Sequence, residues 1–477
     1  MKCSVCLLSA WLVLSALSCA EGGASPDDAT GGRTGPGGAR AGTGGASLTG
    51  GTTTGGSAAT GGSTTSTGGA TGGAGTGGKT STGGAAGFAT GGATAGGAAG
   101  TGTGGRPAST GGAATTGGAG TGGSSGTGGT PATPGAPETK PTGYGQMTTG
   151  GGKGATKTVA SFTEMQAAID AYDGTGGLVL SYTGKFDFSS IKDPCTQWKL
   201  PAQIVEIKKK SNITIMGTDG SGANFGLHIA SSSSNIIVRN MTFGLLPGAD
   251  ASDAISVEGM SGGVPTDIWI DHNELFSSLV TCSGAGDTSF DGLMDFKKGA
   301  DRVTVSYNYV HDHHKVSLNG YTDSDDAVRH ITFHHNVFDH IGSRVPLQRH
   351  GYSHVYDNVM TNISASGINV RMGGYALIEA NHFENAKNPI TARDSDAIGY
   401  WELRNNNIKT PADFTTYGIT WAPSDNTPTK DATDWTTTAA YPVALGYTYT
   451  ADPVTCLKGN LEAVAGAGKK LATLKCP

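Results

Sequence analysis

The chain has 477 residues, of which 80 are Gly, and a formal net charge of -6. This balance excludes a nucleic-acid binder and a protein steered as a whole toward polyanions, so any anion site has to be local. Length alone suggests about three domains, but the glycines are concentrated early and leave one long stretch with the composition of a folded domain.

Residues 1–19 begin Met1-Lys2-Cys3 and continue as an apolar run too short to span a bilayer, the pattern of a secretory signal peptide. Cleavage before Cys19 leaves a lipid attachment point and an anchored lipoprotein; an ordinary cut near Ala20 frees the chain. Both outcomes predict an exported, bacterial-type protein, secreted or held at the cell surface. No later stretch reads as a transmembrane segment. Residues 20–142 are Gly, Thr, Ala and Ser with Thr-Gly-Gly recurring, and between Gly22 and Pro137 the only large apolar residues are Leu48 and Phe88. Such a linker buries too little surface to offset its ordering entropy and is expected to be a disordered tether. As a Gly-rich coil of about 115 residues it reaches on the order of 60 Å. Of seven cysteines, Cys3, Cys6 and Cys19 belong to the leader. Cys195, Cys282, Cys456 and Cys476 remain, an even number in an exported domain, which fits two disulfides with three pairings open.

The folded domain is expected over residues 143–477. Ser161-Phe-Thr-Glu-Met-Gln-Ala-Ala-Ile-Asp-Ala-Tyr172 is its one clear helix, with Ser161 as N-cap and Phe162, Met165, Ala168 and Ile169 on the helical period. Short β-rich runs follow: Asn212–Met216, Asn235–Arg239, Asp267–Asp271, Arg302–Ser306, His330–His334, Ala376–Ala380 and Tyr400–Arg404. Most end in one corner, an Asn followed by a variable and then an apolar residue. The copies start at Asn273, Asn308, Asn336, Asn358, Asn381 and Asn406, so successive spacings are 35, 28, 22, 23 and 25 residues. One strand and one Asn corner per period predict an all-β, single-stranded solenoid in which each strand stacks on its equivalent one coil away. The Asn side chains can bond to one another in a ladder, and Asn tolerates a left-handed turn. The register disfavours the alternative, an antiparallel barrel or sandwich. The longer periods around Asp271–Asn308 imply loops inserted on one side, and these carry acids and a cysteine.

That side holds the candidate site. Asp291-Gly-Leu-Met-Asp295 sets two carboxylates around an apolar triplet, and a histidine cluster with Lys315, then Arg344 and Arg349, follows. Acids facing bases suggest a cation site beside an anion site. On a straight strand Asp291 and Asp295 would lie about 13 Å apart, too far to share one ion, so a bend at Gly292 is required. His311, Asp312, His313, His314, His334 and His335 raise a transition-metal reading, but adjacent histidines on a strand diverge, so hydrogen-bonding roles are expected. His272 reads as a buried, satisfied histidine.

Trp269-Ile-Asp-His-Asn273, Asp291-Gly-Leu-Met-Asp295, Val303-Thr-Val-Ser-Tyr-Asn308, His311-Asp-His-His-Lys-Val-Ser-Leu-Asn-Gly320, His334-His-Asn336 and Arg344-Val-Pro-Leu-Gln-Arg349 resemble the pectate lyases of polysaccharide lyase family one. The likeness continues through Gly367–Arg371, Asn381–Ile390 and Thr410–Trp421 and covers the chain after about Gly143. It implies a right-handed parallel β-helix with a short N-terminal helix. It implies Ca2+ dependence and cleavage of α-1,4-linked polygalacturonate (pectate) by β-elimination to unsaturated oligogalacturonides. It also implies the pairings Cys195 with Cys282 and Cys456 with Cys476. Carried over residue by residue, the metal carboxylates fall on Asp253, Asp291 and Asp295. A fourth acid, expected two residues before Asp253, is replaced by Ala251, with Asp250 adjacent. Lys315 and Arg349 fall on substrate-binding positions, and Arg344 on the catalytic proton acceptor. A guanidinium normally stays protonated, so that last role rests on the resemblance.

The chemistry is consistent with these residue types. Uronate elimination removes the weakly acidic C5 proton, and a hard cation with oxygen ligands can neutralise the adjacent carboxylate. A pectin lyase acting on methyl-esterified polymer without calcium would lack the acid cluster. A polygalacturonase would need two carboxylic acids and no basic centre. A non-catalytic β-helical adhesin for acidic glycans would bind without product. The expected partner is the polysaccharide, with no nucleic acid, and the expected state is a monomer.

Overall fold

The computed structural model describes residues 133–248, 252–285, 289–422 and 435–477. The expectations for the signal peptide, Cys19, the Gly-rich linker before Thr133, Asp250 and Ala251 lie outside the described residues; residues 133–142, expected as linker, belong to the fold instead, with Thr133–Gly135 in a strand. Among the described residues no helix is long and apolar enough to cross a membrane.

The architecture is a parallel β-helix of three sheets with ten, six and eight strands. The chain runs from the first sheet to the second to the third and then returns one rung further on. One coil shows the path: Asp301–Ser306 lies in the first sheet, Tyr309–Lys315 in the second and Ser317–Asn319 in the third. The next coil repeats it with His330–His334, Val337–Ser343 and Leu347–Arg349. All seven β-rich runs expected from the sequence lie in the ten-stranded sheet, joined there by Ala155–Val159, Leu178–Tyr182 and Tyr352–Tyr356.

Alternation along each strand decides what faces inward. Val238, Ile270, Val305, Phe333, Val355 and Ile378 are register partners on successive coils and are all fully buried. This column runs through the interior, and each such side chain contributes about 1.5–3 kcal/mol by leaving water. The outer face of the same sheet is covered by both ends of the described chain. Tyr144 N–H donates to Thr332 Oγ1 (3.0 Å), and the Tyr447 hydroxyl pairs with Thr332 Oγ1 (3.2 Å) and His354 Nδ1 (2.6 Å). Thr133–Gly135 pairs antiparallel with Thr473–Lys475, so backbone pairing starts before Gly143.

The Asn corners form a continuous ladder. Asn273, Asn308, Asn336, Asn358 and Asn381 each donate from Nδ2 to Oδ1 of the next Asn at 2.9–3.1 Å, ending on Asn406. The left-handed residue is not the Asn but the one before it: His272, Tyr307, His335, Asp357, Ala380 and Asn405 have φ of 50–53°. The corner thus needs Asn for its amide rather than for its backbone freedom.

The expected helix spans Phe162–Asp170, with Ser161 Oγ accepting from Glu164 N–H (3.3 Å) and Met165, Ala168 and Ile169 buried. It is not alone. Pro411–Tyr417 is a second, shorter helix, closed by a capping box between Thr410 and Asp413 that the Thr-Pro-Ala-Asp spelling already encodes. Cys195 bridges Cys282 and Cys456 bridges Cys476, the first tying the loop after Phe276 to the Pro194–Lys199 turn. Two disulfides mark a domain matured in an oxidising, extracellular type of compartment.

Candidate active site

The site lies where the second sheet turns into the third, across four consecutive coils. Asp253 precedes the strand Ile255–Glu258. Asp291 precedes Met294–Lys297, which carries Asp295. Lys315 ends Tyr309–Lys315, and Arg344 follows Ser343, the register partner of Lys315. Arg349 closes Leu347–Arg349. Neighbouring rungs are about 4.8 Å apart, so acids and bases spread along one flank over roughly 15 Å.

The strand begins only at Met294, so Asp291 lies ahead of it, and its charge is felt by Asp295. What Gly292 provides there is space. A Cβ on it would stand 2.7 Å from Asp295 Oδ1 and 2.8 Å from Asp253 Oδ1, so both oxygens crowd the same point above the glycine. Asp295 Oδ1 accepts from Leu318 N–H (3.1 Å) and Asp291 Oδ2 from Ser252 N–H (3.3 Å). Lys297 enters this nest. Its Nζ lies 2.7 Å from Asp253 Oδ2 and 3.6 Å from Asp295 Oδ2.

The electrostatics of the nest are out of balance. With all three carboxylates ionised, one ammonium would leave two negative charges uncompensated. Burial, and then the charge of Asp253, push the Asp291 carboxyl up to about 7. The same two causes raise Asp295 well above the usual carboxylate range, with Asp291 adding to it. Burial disfavours the charged form of Lys297, yet Asp253 and Asp295 outweigh it and hold the ammonium protonated. Asp253 Oδ1 is buried with no hydrogen-bond partner. A pocket of hard oxygen donors with a bare carboxylate oxygen and two surplus negative charges suits a divalent cation such as Ca2+.

The opposite end is cationic. Arg349 is 6% exposed, with Nε donating to Asp323 Oδ1 (2.6 Å) and Nη1 to Gly320 O (3.2 Å). Asp323 is itself braced by Ser395 Oγ (2.8 Å) and Asp396 N–H (3.0 Å). Arg371 is the register partner of Arg349 and donates to Asp394 O (2.8 Å) and Ser395 Oγ (3.3 Å). Burial first, then Arg349 and Arg344, lower its pKa to about 9. The charge of Arg344 is felt by Asp295 on one side and by Arg371 on the other, so it stands between nest and cations. Its backbone is left-handed (φ 68°), and its carbonyl accepts from Ser317 N–H (3.0 Å). That conformation recurs at every Asn corner, so here it is a turn device rather than a functional mark.

His272, His311 and His313 take hydrogen-bonding roles, whereas His314 Nε2 is buried with no hydrogen-bond partner. His272 is fully buried between Asp271 Oδ2 (2.8 Å) and Ala472 O (3.0 Å). His313 bonds Ser277 Oγ (2.5 Å) and Lys315 O (2.9 Å), and burial beside His314, Arg344 and Lys315 drives it down to about 3, so it stays neutral. His311 joins Asp312 (2.8 Å) and Glu274 (3.4 Å). Sequence reasoning missed Lys297, Asp323 and Arg371. The first had a signal: Asp295 and Lys297 are two apart on a strand and so share a face. The others become neighbours only through coil stacking.

A profile of the pectate lyase family matches residues 102–470. Pectate lyase 3 of Pectobacterium carotovorum subsp. carotovorum is 44% identical over 351 residues, covering 69% of this chain and 91% of the relative. Pectate lyase B of Dickeya chrysanthemi is also 44% identical, covering 70% and 92%. Among solved structures, pectate lyase II of Xanthomonas campestris pv. campestris superposes with a TM-score of 0.66 at 55% identity, over 70% of this chain and all of that one. Pectate lyase C of Erwinia chrysanthemi, solved with Ca2+, gives 0.66 at 41% identity over 71% and 99%. A variant of pectate lyase C in complex with pentagalacturonic acid gives 0.65 at 40% identity. Because the profile spans most of the sequence, and curated relatives align over nine-tenths of their own length, the chain belongs to the pectate lyase family of polysaccharide lyases.

Proposed function

We propose that the protein cleaves α-1,4-linked polygalacturonate by calcium-dependent β-elimination. Asp253, Asp291 and Asp295 hold the ion, Lys315 and Arg349 bind uronate carboxylates, and Arg344 accepts the C5 proton. The observation that supports this best is the pairing, on one flank of the coil, of an under-neutralised carboxylate nest with cations on the next two rungs. Bound calcium would neutralise a uronate carboxylate and so make the neighbouring proton removable. Lys297 restrains Asp253 and Asp295, so two of the ligands are preorganised. Arg349 is held on Asp323 and presents a fixed guanidinium face to an acidic sugar. The solved relatives with Ca2+ and with pentagalacturonic acid agree with this reading. Residues 1–19 then serve export, with lipid attachment at Cys19 as the anchored form, and the linker up to about residue 132 tethers a monomeric catalytic domain that starts near Thr133 rather than at Gly143.

The test is a substrate assay. Purified protein with polygalacturonate and calcium should release unsaturated, UV-absorbing oligogalacturonides; chelator should stop release and added calcium restore it. Product lacking the double bond would mean a hydrolase. Binding without product would mean an adhesin. Preference for methyl-esterified polymer with no need of calcium would mean a pectin lyase.

A pH dependence follows from Asp291 and Asp295. Both pKa values are raised in the metal-free fold, so the folded state holds protons that the unfolded chain gives up near pH 4. Metal-free stability therefore falls as pH rises from about 4 through about 7. A cation must displace those protons, so its affinity rises over the same window. The calcium-induced gain in melting temperature should be clearly larger at pH 8 than at pH 5. An equal gain at both would refute the assignment of these carboxylates.

A further inference from the structure

A second cluster of metal-type ligands lies far from the carboxylate nest in the chain, on the Asn corners. His335 and Asp357 occupy the same corner position on successive coils, each immediately before a ladder Asn and each with φ of 53°. Their side chains therefore leave the coil side by side, one rung apart. The C-terminal segment lays Asp452 across them. His335 Nε2 lies 3.1 Å from Asp452 Oδ2 and 3.8 Å from Asp357 Oδ2, and Asp452 N–H donates to Asp357 Oδ2 (3.0 Å). One donor atom from each residue falls within 4.8 Å of the other two.

We propose that His335, Asp357 and Asp452 form a binding site for a divalent transition-metal ion of the zinc type, which clamps the C-terminal segment to the β-helix. Three features carry this. Two ligands of a tetrahedral zinc, bonded at about 2.0–2.1 Å, stand about 3.3 Å apart. The observed 3.1 and 3.8 Å bracket that value. Asp357 is fully buried and its Oδ1 has no hydrogen-bond partner, a costly state for a carboxylate unless a cation faces it. His335 is pre-aimed. Its ring stacks on Tyr307 (centroids 4.7 Å apart), and its Nδ1 shares a proton with His334 Nδ1 at 2.9 Å. When that proton sits on His335 Nδ1, the Nε2 lone pair points at the two carboxylates, the second-sphere arrangement usual for ligating histidines. One imidazole with two carboxylates favours zinc over calcium, which binds imidazole poorly. The rings of adjacent His334 and His335 stand at 89°, yet they do not diverge as expected, because their Nδ1 atoms bond each other; the carboxylate partners of His335 come from 22 and 117 residues away.

The test uses the full protein, stripped of metal and then held in excess calcium so that the carboxylate nest is occupied. Zinc should then bind at one ion per chain and raise the melting temperature by several degrees. Asp452→Asn and His335→Gln should each weaken zinc binding by about 100-fold. Cobalt in place of zinc should give a visible absorption band that both variants lose. Lyase turnover in calcium should be unchanged in Asp452→Asn. If His335→Gln does not fold, Asp452→Asn on the C-terminal segment decides. The proposal fails if zinc does not saturate in the presence of calcium, as for a plain His–Asp ion pair. It fails equally if stoichiometry and affinity survive both substitutions.

Discussion

Arg344→Lys is expected to lower kcat on polygalacturonate by about 1,000-fold, within the range spanned by loss of a proton-transfer group. KM should stay within a few-fold and the melting temperature within a degree or two. The substitution isolates chemistry from fold. The positive charge remains, so the balance with Asp295 and Arg371 is kept. The left-handed backbone is no harder for Lys than for Arg, and the bond from Ser317 N–H is to the carbonyl of residue 344. What disappears is the planar guanidinium, whose donors sit at fixed angles that an ammonium cannot reproduce. The readouts are the rate of UV-absorbing product at saturating substrate and calcium, and a thermal melt. Turnover near that of the unmodified enzyme would remove Arg344 from its role. A fall in kcat together with a large fall in stability would mean that the residue serves the turn instead.

The architecture was legible where the physics repeats. The ten-stranded sheet shows in the sequence because buried columns such as Ile270, Val305 and Phe333 demand apolar residues at the same place on each rung. The ladder shows because a buried amide needs the same partner one coil on. The other two sheets are harder to read. Glu274–Phe276, Ser317–Asn319 and Leu347–Arg349 are three residues long, below the length at which alternation can be counted. The left-handed corner was attributed to Asn by propensity, whereas the structure puts it on the residue before, where His, Tyr, Asp and Ala all serve. In the site, Asp291, Asp295, Lys315, Arg344 and Arg349 are visible because they follow one another closely in sequence, whereas Asp253 came only with the family resemblance. Arg371 and Asp323 were not visible, because Asp323 meets Arg349 across 26 residues and only coil stacking fixes that distance. His335 offered a motif but not its partners, for the same reason.

Asn336→Ala is expected to destabilise the domain by about 3–5 kcal/mol, among the largest effects of any single substitution away from the interior columns. The side chain is fully buried in the middle of the ladder and has four kinds of partner. Its Oδ1 accepts from Asn308 N–H (3.0 Å) and Asn308 Nδ2 (2.9 Å). Its Nδ2 donates to Val305 O (2.9 Å), His334 O (3.0 Å) and Asn358 Oδ1 (3.0 Å). Truncation leaves two donors and part of three acceptors dry, each costing about 1–3 kcal/mol before relaxation and sharing reduce the sum. Asn406 is the last member of the ladder among the described residues, so Asn406→Ala should cost less. Each coil touches only its neighbours, so a break at the centre should also loosen the coupling between the two halves and broaden the denaturant transition. Asn336→Asp keeps an acceptor for Asn308 but loses all three bonds donated by Nδ2, and buries a carboxylate in the ladder. It should be destabilising at neutral pH and recover as pH falls and the carboxyl protonates. A midpoint for Asn336→Ala within experimental error of the unmodified protein would mean that the ladder records the coil geometry without holding it.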